Sequence, residues 1–340
     1  MELKVKQYTS LVKLQTEKAI PENRDCYRIT AIRGEHFAYQ IAMSSERLRY
    51  KAECEIQSDL EGCIEAYLVE NACMDFAYPI NADDDYITKE NGIMPDILTP
   101  LKERGNLFTI GDLTTIWLDV NIPKDCKPGV YTVVFKAKNL TVTDYEGFEV
   151  FEIMKITVLD VEMPEQKTIF TQWFHVDCIA SIHDVEIYSE EHWELIDKYM
   201  KMAADVGMNM ILTPIVTPHL NVTKGEARPN VQLVDIEEDE NGYKFDFTKL
   251  KRWIDLTKKH GIKYYEMAPL FTQWGLEFTP DIKVKSKDGV YSKFGWHVAS
   301  EEESYEIFLK AFLPALIEFL KGEGVEKNAY FHLSDEPRKV

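Results

Sequence analysis

The spacing of apolar residues changes near Pro164. Before it, short alternating runs are separated by turn signals, at residues 27–32, 37–43, 64–69, 115–120, 130–136 and 150–159. In Trp117, Leu118, Asp119, Val120, Asn121 and Ile122 apolar and polar positions nearly alternate, the period of a strand with one buried face. Pro128-Gly129 ahead of Val130 marks a turn. Several short strands at this spacing predict an antiparallel sandwich.

After Pro164 the pattern becomes strand, helix, strand, helix. Residues 168–176 read as a strand. Ser189 reads as an N-cap, with Glu190 and Glu191 in the first turn of a helix whose Trp193, Ile196, Met200 and Ala203 share a face, and Gly207 marks its stop. Residues 208–216 read as a second strand. Residues 248–260 read as a helix burying Leu250, Trp253, Ile254 and Thr257, and 263–271 as a third strand. Ser300 with Glu303 reads as a capping box opening a long helix through Phe308, Phe312, Leu316 and Leu320, kinked at Pro314. Residues 328–333 read as a fourth strand. Two insertions interrupt the units. One is a hairpin with a type I′ turn at Asn241-Gly242, between 231–236 and 243–247; the other is a long loop over 273–299.

Alternating βαβα units imply a parallel sheet with helices packed outside it. A full (β/α)8 barrel takes about 250 residues. The 177 residues from 164 to 340 hold four strands and three helices. The expected fold is therefore multidomain, β plus α/β: an N-terminal antiparallel β-sandwich over 1–164, then the first half of a (β/α)8 TIM-type barrel over 165–340. A different, smaller α/β fold is the alternative; a chain cut within its barrel is expected to be inactive, unstable or dependent on a downstream chain for strands five to eight.

Composition narrows the partners. Among 340 residues, 39 Lys and Arg face 58 Asp and Glu, a formal charge of −19. This balance argues against nucleic acid and anionic membranes, which need clustered cations, and leaves a neutral ligand as the compatible class. No stretch approaches the roughly 18–20 apolar residues of a membrane span, and residues 1–19 lack the apolar core of a secretory signal. With that terminus taken as native, a cytoplasmic location is expected. Cys26, Cys54, Cys63, Cys73, Cys126 and Cys178 show no C-x-x-C spacing, so buried free thiols are expected rather than a zinc or redox site. The acidic runs Asp83-Asp84-Asp85 and 237–240 lack the spacing of a calcium loop and read as solvated turns. No metal or other cofactor is expected.

In a barrel, catalytic groups sit at the C-terminal ends of strands. The fourth strand runs through His332-Leu333-Ser334-Asp335-Glu336-Pro337. Adjacent carboxylates repel, which raises the pKa of one and suits a general acid; an N-cap Asp beside a solvated Glu is the alternative. The other predicted strand ends carry Trp173, His175 and Asp177, then Pro214 and His219, then Gln273 and Trp274. Tryptophans beside carboxylates and amides suit a sugar, which has apolar C–H faces and a rim of hydroxyls. Each of these residues is also compatible with a purely structural place. Trp296 and His297 lie on the long loop, reaching over the mouth or anchoring the loop.

With these motifs in order, the chain resembles glycoside hydrolase family 123, the β-N-acetylgalactosaminidases. In the first half the resemblance rests on Arg33-Gly34-Glu35 and Gln40, Pro95-Asp96 with Pro100-Leu101, Trp117-Leu118-Asp119-Val120 with Pro123, and Pro128-Gly129-Val130-Tyr131. In the second it rests on Phe245-Asp246-Phe247, His260-Gly261-Ile262, Gln273-Trp274-Gly275, Phe294-Gly295-Trp296, Phe312-Leu313-Pro314 and 332–337. The resemblance implies retaining, substrate-assisted hydrolysis of a β-linked N-acetylhexosamine glycan. Asp335 would orient the 2-acetamido group and Glu336 would be the general acid/base. Two other readings stand beside it: a separate nucleophile on a later strand, and a carbohydrate-binding or scaffold protein without catalysis.

Overall fold

The computed structural model describes residues 3–15, 26–45, 49–75, 91–141, 149–220, 222–273 and 275–335. The chain divides into two compact units, Met1–Glu165 and Gln166–Val340.

The described strands of the first unit are β1 (Leu3–Thr9), β2 (Arg28–Arg33), β3 (His36–Ser45), β4 (Tyr50–Ser58), β5 (Ile64–Met74), β6 (Gly92–Pro100), β7 (Leu107–Ile110), β8 (Thr114–Asn121), β9 (Gly129–Asn139) and β10 (Glu149–Glu162). They form two sheets, ordered β1-β3-β8-β5-β6 and β2-β10-β9-β4-β7. Alternate residues of both sheets meet in one core: Tyr39, Ile41 and Met43 from β3, Ile116, Leu118 and Val120 from β8, Val133, Phe135 and Ala137 from β9, and Met154, Ile156 and Val158 from β10. This is the period-2 burial of a sandwich. One pairing departs from the expected all-antiparallel arrangement, because β2 lies parallel to β10.

Two of the motifs in this unit do structural work. Gly34 turns the chain between β2 and β3 with φ of 80°, where a Cβ would come within 3.1 Å of Lys124. The Glu35 carboxylate beside it accepts from the Ile32 N–H at 2.8 Å. Gln40 is buried and donates to the carbonyls of Thr9 and Val12, at 2.9 and 2.6 Å. The cysteines are all free. Only Cys54 is buried, and Cys73 and Cys178 are exposed, which corrects the expectation of buried thiols. Cys54 ends up in the core because it is an inward position of β4.

The described elements of the second unit are β11 (Thr171–Gln172), α1 (Val176–His183), α2 (Glu190–Asp205), β12 (Met210–Thr213), β13 (Asp235–Asp239), β14 (Gly242–Asp246), α3 (Thr248–Lys259), β15 (Tyr264–Met267), β16 (Ile282–Ser286), β17 (Gly289–Phe294), α4 (Glu303–Gly322) and β18 (Ala329–Phe331). Strands β11, β12, β15 and β18 form a parallel sheet in sequence order. The first unit is thus β-rich and the second α/β.

Local chemistry explains the boundaries. Ser189 caps α2, its hydroxyl accepting from the His192 N–H at 3.2 Å. The Asp246 carboxylate takes the Thr248 N–H at 2.8 Å and starts α3. The predicted capping box at Ser300 does not form. Helix α4 begins at Glu303, Ser300 donates to the Leu276 carbonyl, and Glu302 accepts from the Ala299 N–H at 2.9 Å. The predicted first strand shortens to Thr171–Gln172. Ahead of it the Asn209 amide replaces the ladder, accepting from the Phe170 N–H at 2.8 Å and donating to the Thr168 carbonyl at 3.0 Å. Beyond it, Trp173 and Phe174 leave the sheet and α1 begins, a helix that the apolar run 168–176 conceals.

The two insertions pair with each other. β13 joins β14 and β16, and β16 joins β17, giving a second sheet ordered β14-β13-β16-β17. Its hairpin turn is not type I′, which needs positive φ at both central residues. Asp239 pairs with Gly242, and of the turn residues only Gly242 has positive φ, 112°, as in a turn followed by a glycine bulge. The acidic run at 237–240 is largely exposed, as expected, but Glu240 alone of it lies in the turn and the rest belongs to β13. Glu237 pairs with Lys285 at 2.6 Å, Glu238 with Lys293, and Asp239 with Lys244 at 2.6 Å. The run at 83–85 lies outside the described residues. Among the described residues no group of three or more His, Cys, Asp or Glu is placed to hold a metal, and no helix is long and apolar enough to cross a membrane.

Candidate functional site

Because β11, β12, β15 and β18 run parallel, the segments that follow them emerge on one edge of the sheet. Three polar groupings occur in those segments.

The first is centred on Glu266, the third residue of β15, which is 8% exposed. Its carboxylate accepts from the Thr171 hydroxyl at 3.1 Å and from the Trp173 indole N–H at 3.3 Å. It also bonds the His332 Nδ1 at 3.1 Å. Trp173 keeps 37% of its surface exposed. Its ring lies edge-on to His175, with centroids 6.3 Å apart, and 6.5 Å from His332.

The second joins the loop after β15 to the segment after β18. The Gln273 side-chain amide donates to the Asp335 carboxylate at 2.6 Å. The Ser334 hydroxyl donates to the Thr272 carbonyl at 3.0 Å, fixing the same two segments side by side. The loop here carries Leu276 at φ of 63°, a strained conformation for a branched residue. The hydrogen bond from Ser300 to the Leu276 carbonyl helps to hold it.

The third follows β11. Asp177 is buried and paired with Arg228, at 2.7 Å to Nη2 and 3.0 Å to Nε. Arg228 also donates to the Leu220 carbonyl at 3.1 Å. The second Asp177 oxygen and both His175 ring nitrogens are buried without a hydrogen-bond partner in the structure. Burial, and next the Arg228 charge, push the His175 pKa down; Asp177 opposes both. Asp177 therefore braces Arg228 through one oxygen, and the other is left for a further partner.

His219 and Trp296 meet beyond β12, edge to face at 4.5 Å. Burial pushes the His219 pKa down. The Trp296 indole donates to the Glu226 carbonyl at 2.7 Å and lies against Phe278, so the loop is anchored at this point. His297 is exposed, its ring within 3.5 Å of where a Gly295 side chain would begin, and it joins none of these groupings. Trp274 and Glu336 lie outside the described residues.

Sequence reasoning missed Glu266, Arg228 and the part played by His332. Glu266 had a readable signal, a lone carboxylate inside the apolar run at 263–271. Such a charge is buried only with partners. Arg228 sits in an irregular segment and had none.

A parallel α/β unit that gathers carboxylates, an amide and an indole after its strand ends has the layout of an enzyme domain. Residues 173–340 match the model of the glycoside hydrolase 123 catalytic domain, and the second unit belongs to that family. No curated protein matches it in sequence. A solved family 123 glycoside hydrolase from Clostridium perfringens, studied for glycolipid glycan hydrolysis, superposes with a TM-score of 0.72 at 15% identity. The match covers 97% of this chain and 58% of that one, so this chain spans under two thirds of that protein. At this identity the likeness is one of fold. The N-terminal domain of PorA aligns with a TM-score of only 0.23 at 9% identity, over 46% of this chain and 97% of that one, and at that score it carries no weight.

Proposed function

We propose that the protein hydrolyses β-linked N-acetylhexosamine glycans, of the N-acetylgalactosaminide type, by a retaining mechanism in which the substrate supplies its own nucleophile. The family match over 173–340 supports glycoside hydrolysis. The observation that carries the residue assignment is the Gln273–Asp335 hydrogen bond. A carboxylate held through one oxygen by a neutral amide is fixed in direction while its second oxygen can take another N–H.

On this reading Asp335 accepts the N–H of the 2-acetamido group and turns its carbonyl oxygen toward the anomeric carbon. That oxygen attacks as the bond to the leaving oxygen breaks, and Glu336 gives its proton to the leaving oxygen. An oxazolinium ion forms, with its positive charge beside Asp335. Glu336, now a carboxylate, takes a proton from water as the water attacks the anomeric carbon. The ring opens and the configuration is retained. Trp173 and Trp274 offer apolar faces to the sugar ring, and His175 and Asp177 offer polar partners to its hydroxyls. The four parallel strands in sequence order support reading 165–340 as the first half of a (β/α)8 barrel, with the sandwich over 1–164 as an accessory domain.

The test is release of 4-nitrophenol from its N-acetyl-β-D-galactosaminide. General acid–base catalysis is worth about 10²–10⁴-fold, so Glu336→Gln should lose at least that much. Unchanged turnover in Glu336→Gln overturns the assignment.

A further inference from the structure

Glu266 takes no part in the chemistry above, yet its carboxylate is bonded to three side chains from two other strand segments. Thr171 and Trp173 reach it from β11 and its end, and His332 from the segment after β18. At 8% exposure its burial needs compensation, and an apolar residue in a packed sheet commonly serves stability as well. The geometry points to a positioning role: we propose that Glu266 aligns Trp173 and His332 as two contacts for one saccharide ring, a stacking face and a hydroxyl acceptor. This rests on the glycosidase reading for the identity of the ligand.

The chemistry of each contact follows from the pair it makes. The indole N–H is fixed on one carboxylate oxygen at 3.3 Å, which sets the plane of a ring that remains 37% exposed. An exposed indole face held at a set angle suits the C–H face of a pyranose. Glu266 takes Nδ1 of His332, and an acceptor at Nδ1 favours the tautomer that carries its proton there. Nε2 is then an acceptor, matched to a hydroxyl of a neutral sugar. The Thr171 hydroxyl fills the other carboxylate oxygen at 3.1 Å and leaves Glu266 little room to act as a nucleophile.

The test uses the full chain, with isotope-labelled imidazole and indole nitrogens observed by NMR, the His332 and Trp173 signals being assigned through His332→Gln and Trp173→Phe. In the unsubstituted protein the His332 ring should carry its proton on Nδ1. Adding N-acetyl-D-galactosamine should move the His332 and Trp173 signals together. In Glu266→Leu, which leaves no acceptor, checked for folding by circular dichroism, the Nδ1–H tautomer should be lost, and KM for the aryl glycoside should rise about tenfold or more with a smaller change in kcat. An unchanged tautomer, or an unchanged KM, overturns the proposal. Should Glu266→Leu fail to fold, Trp173→Phe removes the N–H donor and narrows the stacking face, and should raise KM by itself; an unchanged KM there also overturns the proposal. If no N-acetylhexosaminide is turned over or bound, the glycosidase reading fails, while the tautomer still decides whether Glu266 positions His332.

Discussion

The two units differ most in what they bury. In the sandwich the described buried polar side chains are neutral: Gln7, Gln15, Gln40, Ser45, Thr114 and Thr115. In the α/β unit they include Asp177, His192, His219, Glu266 and Asp281. Amides and hydroxyls are satisfied by one or two hydrogen bonds, as Gln40 is by two carbonyls. Ionisable groups cost far more to bury and persist where a site needs them or a network holds them. The contrast teaches where chemistry is to be sought: the sandwich is built for packing, and the second unit holds the costly groups.

The sharpest way to break this comparison is Asp335→Asn. If the carboxylate orients an acetamido group, turnover of the N-acetyl-β-D-galactosaminide should fall by about 10²-fold or more, as for other transition-state charge partners. A loss of less than threefold would remove Asp335 from the chemistry. Next is Arg228→Ala. It leaves Asp177 buried without its cation, and stranding one partner of a buried pair costs about 3–5 kcal/mol. Thermal unfolding followed by calorimetry should show the loss in the second unit. In the sandwich, Leu118→Ala should cost about 2–5 kcal/mol through the cavity alone. That cost should be the same at pH 5 and pH 7.5, because no charge is involved.

The smallest effect separates the units by pH. Burial is the leading cause of a lowered pKa at His175, His192 and His219. A histidine neutral in the folded state but protonated when unfolded makes the unfolded state bind more protons. Stability of the second unit is then full above the unfolded value of about 6.5 and falls as pH drops below it. The unit should melt at a lower temperature at pH 5 than at pH 7.5. Replacing His219 by Gln, which carries no titrating proton, should shrink that difference, and an undiminished difference would remove His219 from it.

Much of the fold was legible because burial follows local periods. Trp193, Ile196 and Met200 of α2, and Leu250, Trp253, Ile254 and Thr257 of α3, are all buried as their spacing predicts. What was not legible depends on distant partners. The β16–β17 hairpin exists inside the long 273–299 loop because β13, 48 residues earlier by the register of Glu237 with Lys285, gives it an edge to join. The end of the first strand is set by the Asn209 side chain, and α1 follows within an apolar run that periodicity assigns to a strand. At the site, Asp335 and Gln273 were both singled out from sequence, but their contact was not, since 62 residues separate them. Glu266 is hidden because a single charge inside a short apolar strand reads as part of the strand until its partners, 66 to 95 residues away, are known.

The central claim is that the substrate's acetamido oxygen is the nucleophile. It is tested most directly by turnover of aryl N-acyl-β-D-galactosaminides in which the acetyl methyl carries none, one, two or three fluorines. Fluorine withdraws electrons from the carbonyl oxygen and leaves its position nearly unchanged. The account predicts that kcat/KM falls steeply at each step of the series. A flat series would contradict it and would place the nucleophile on the protein.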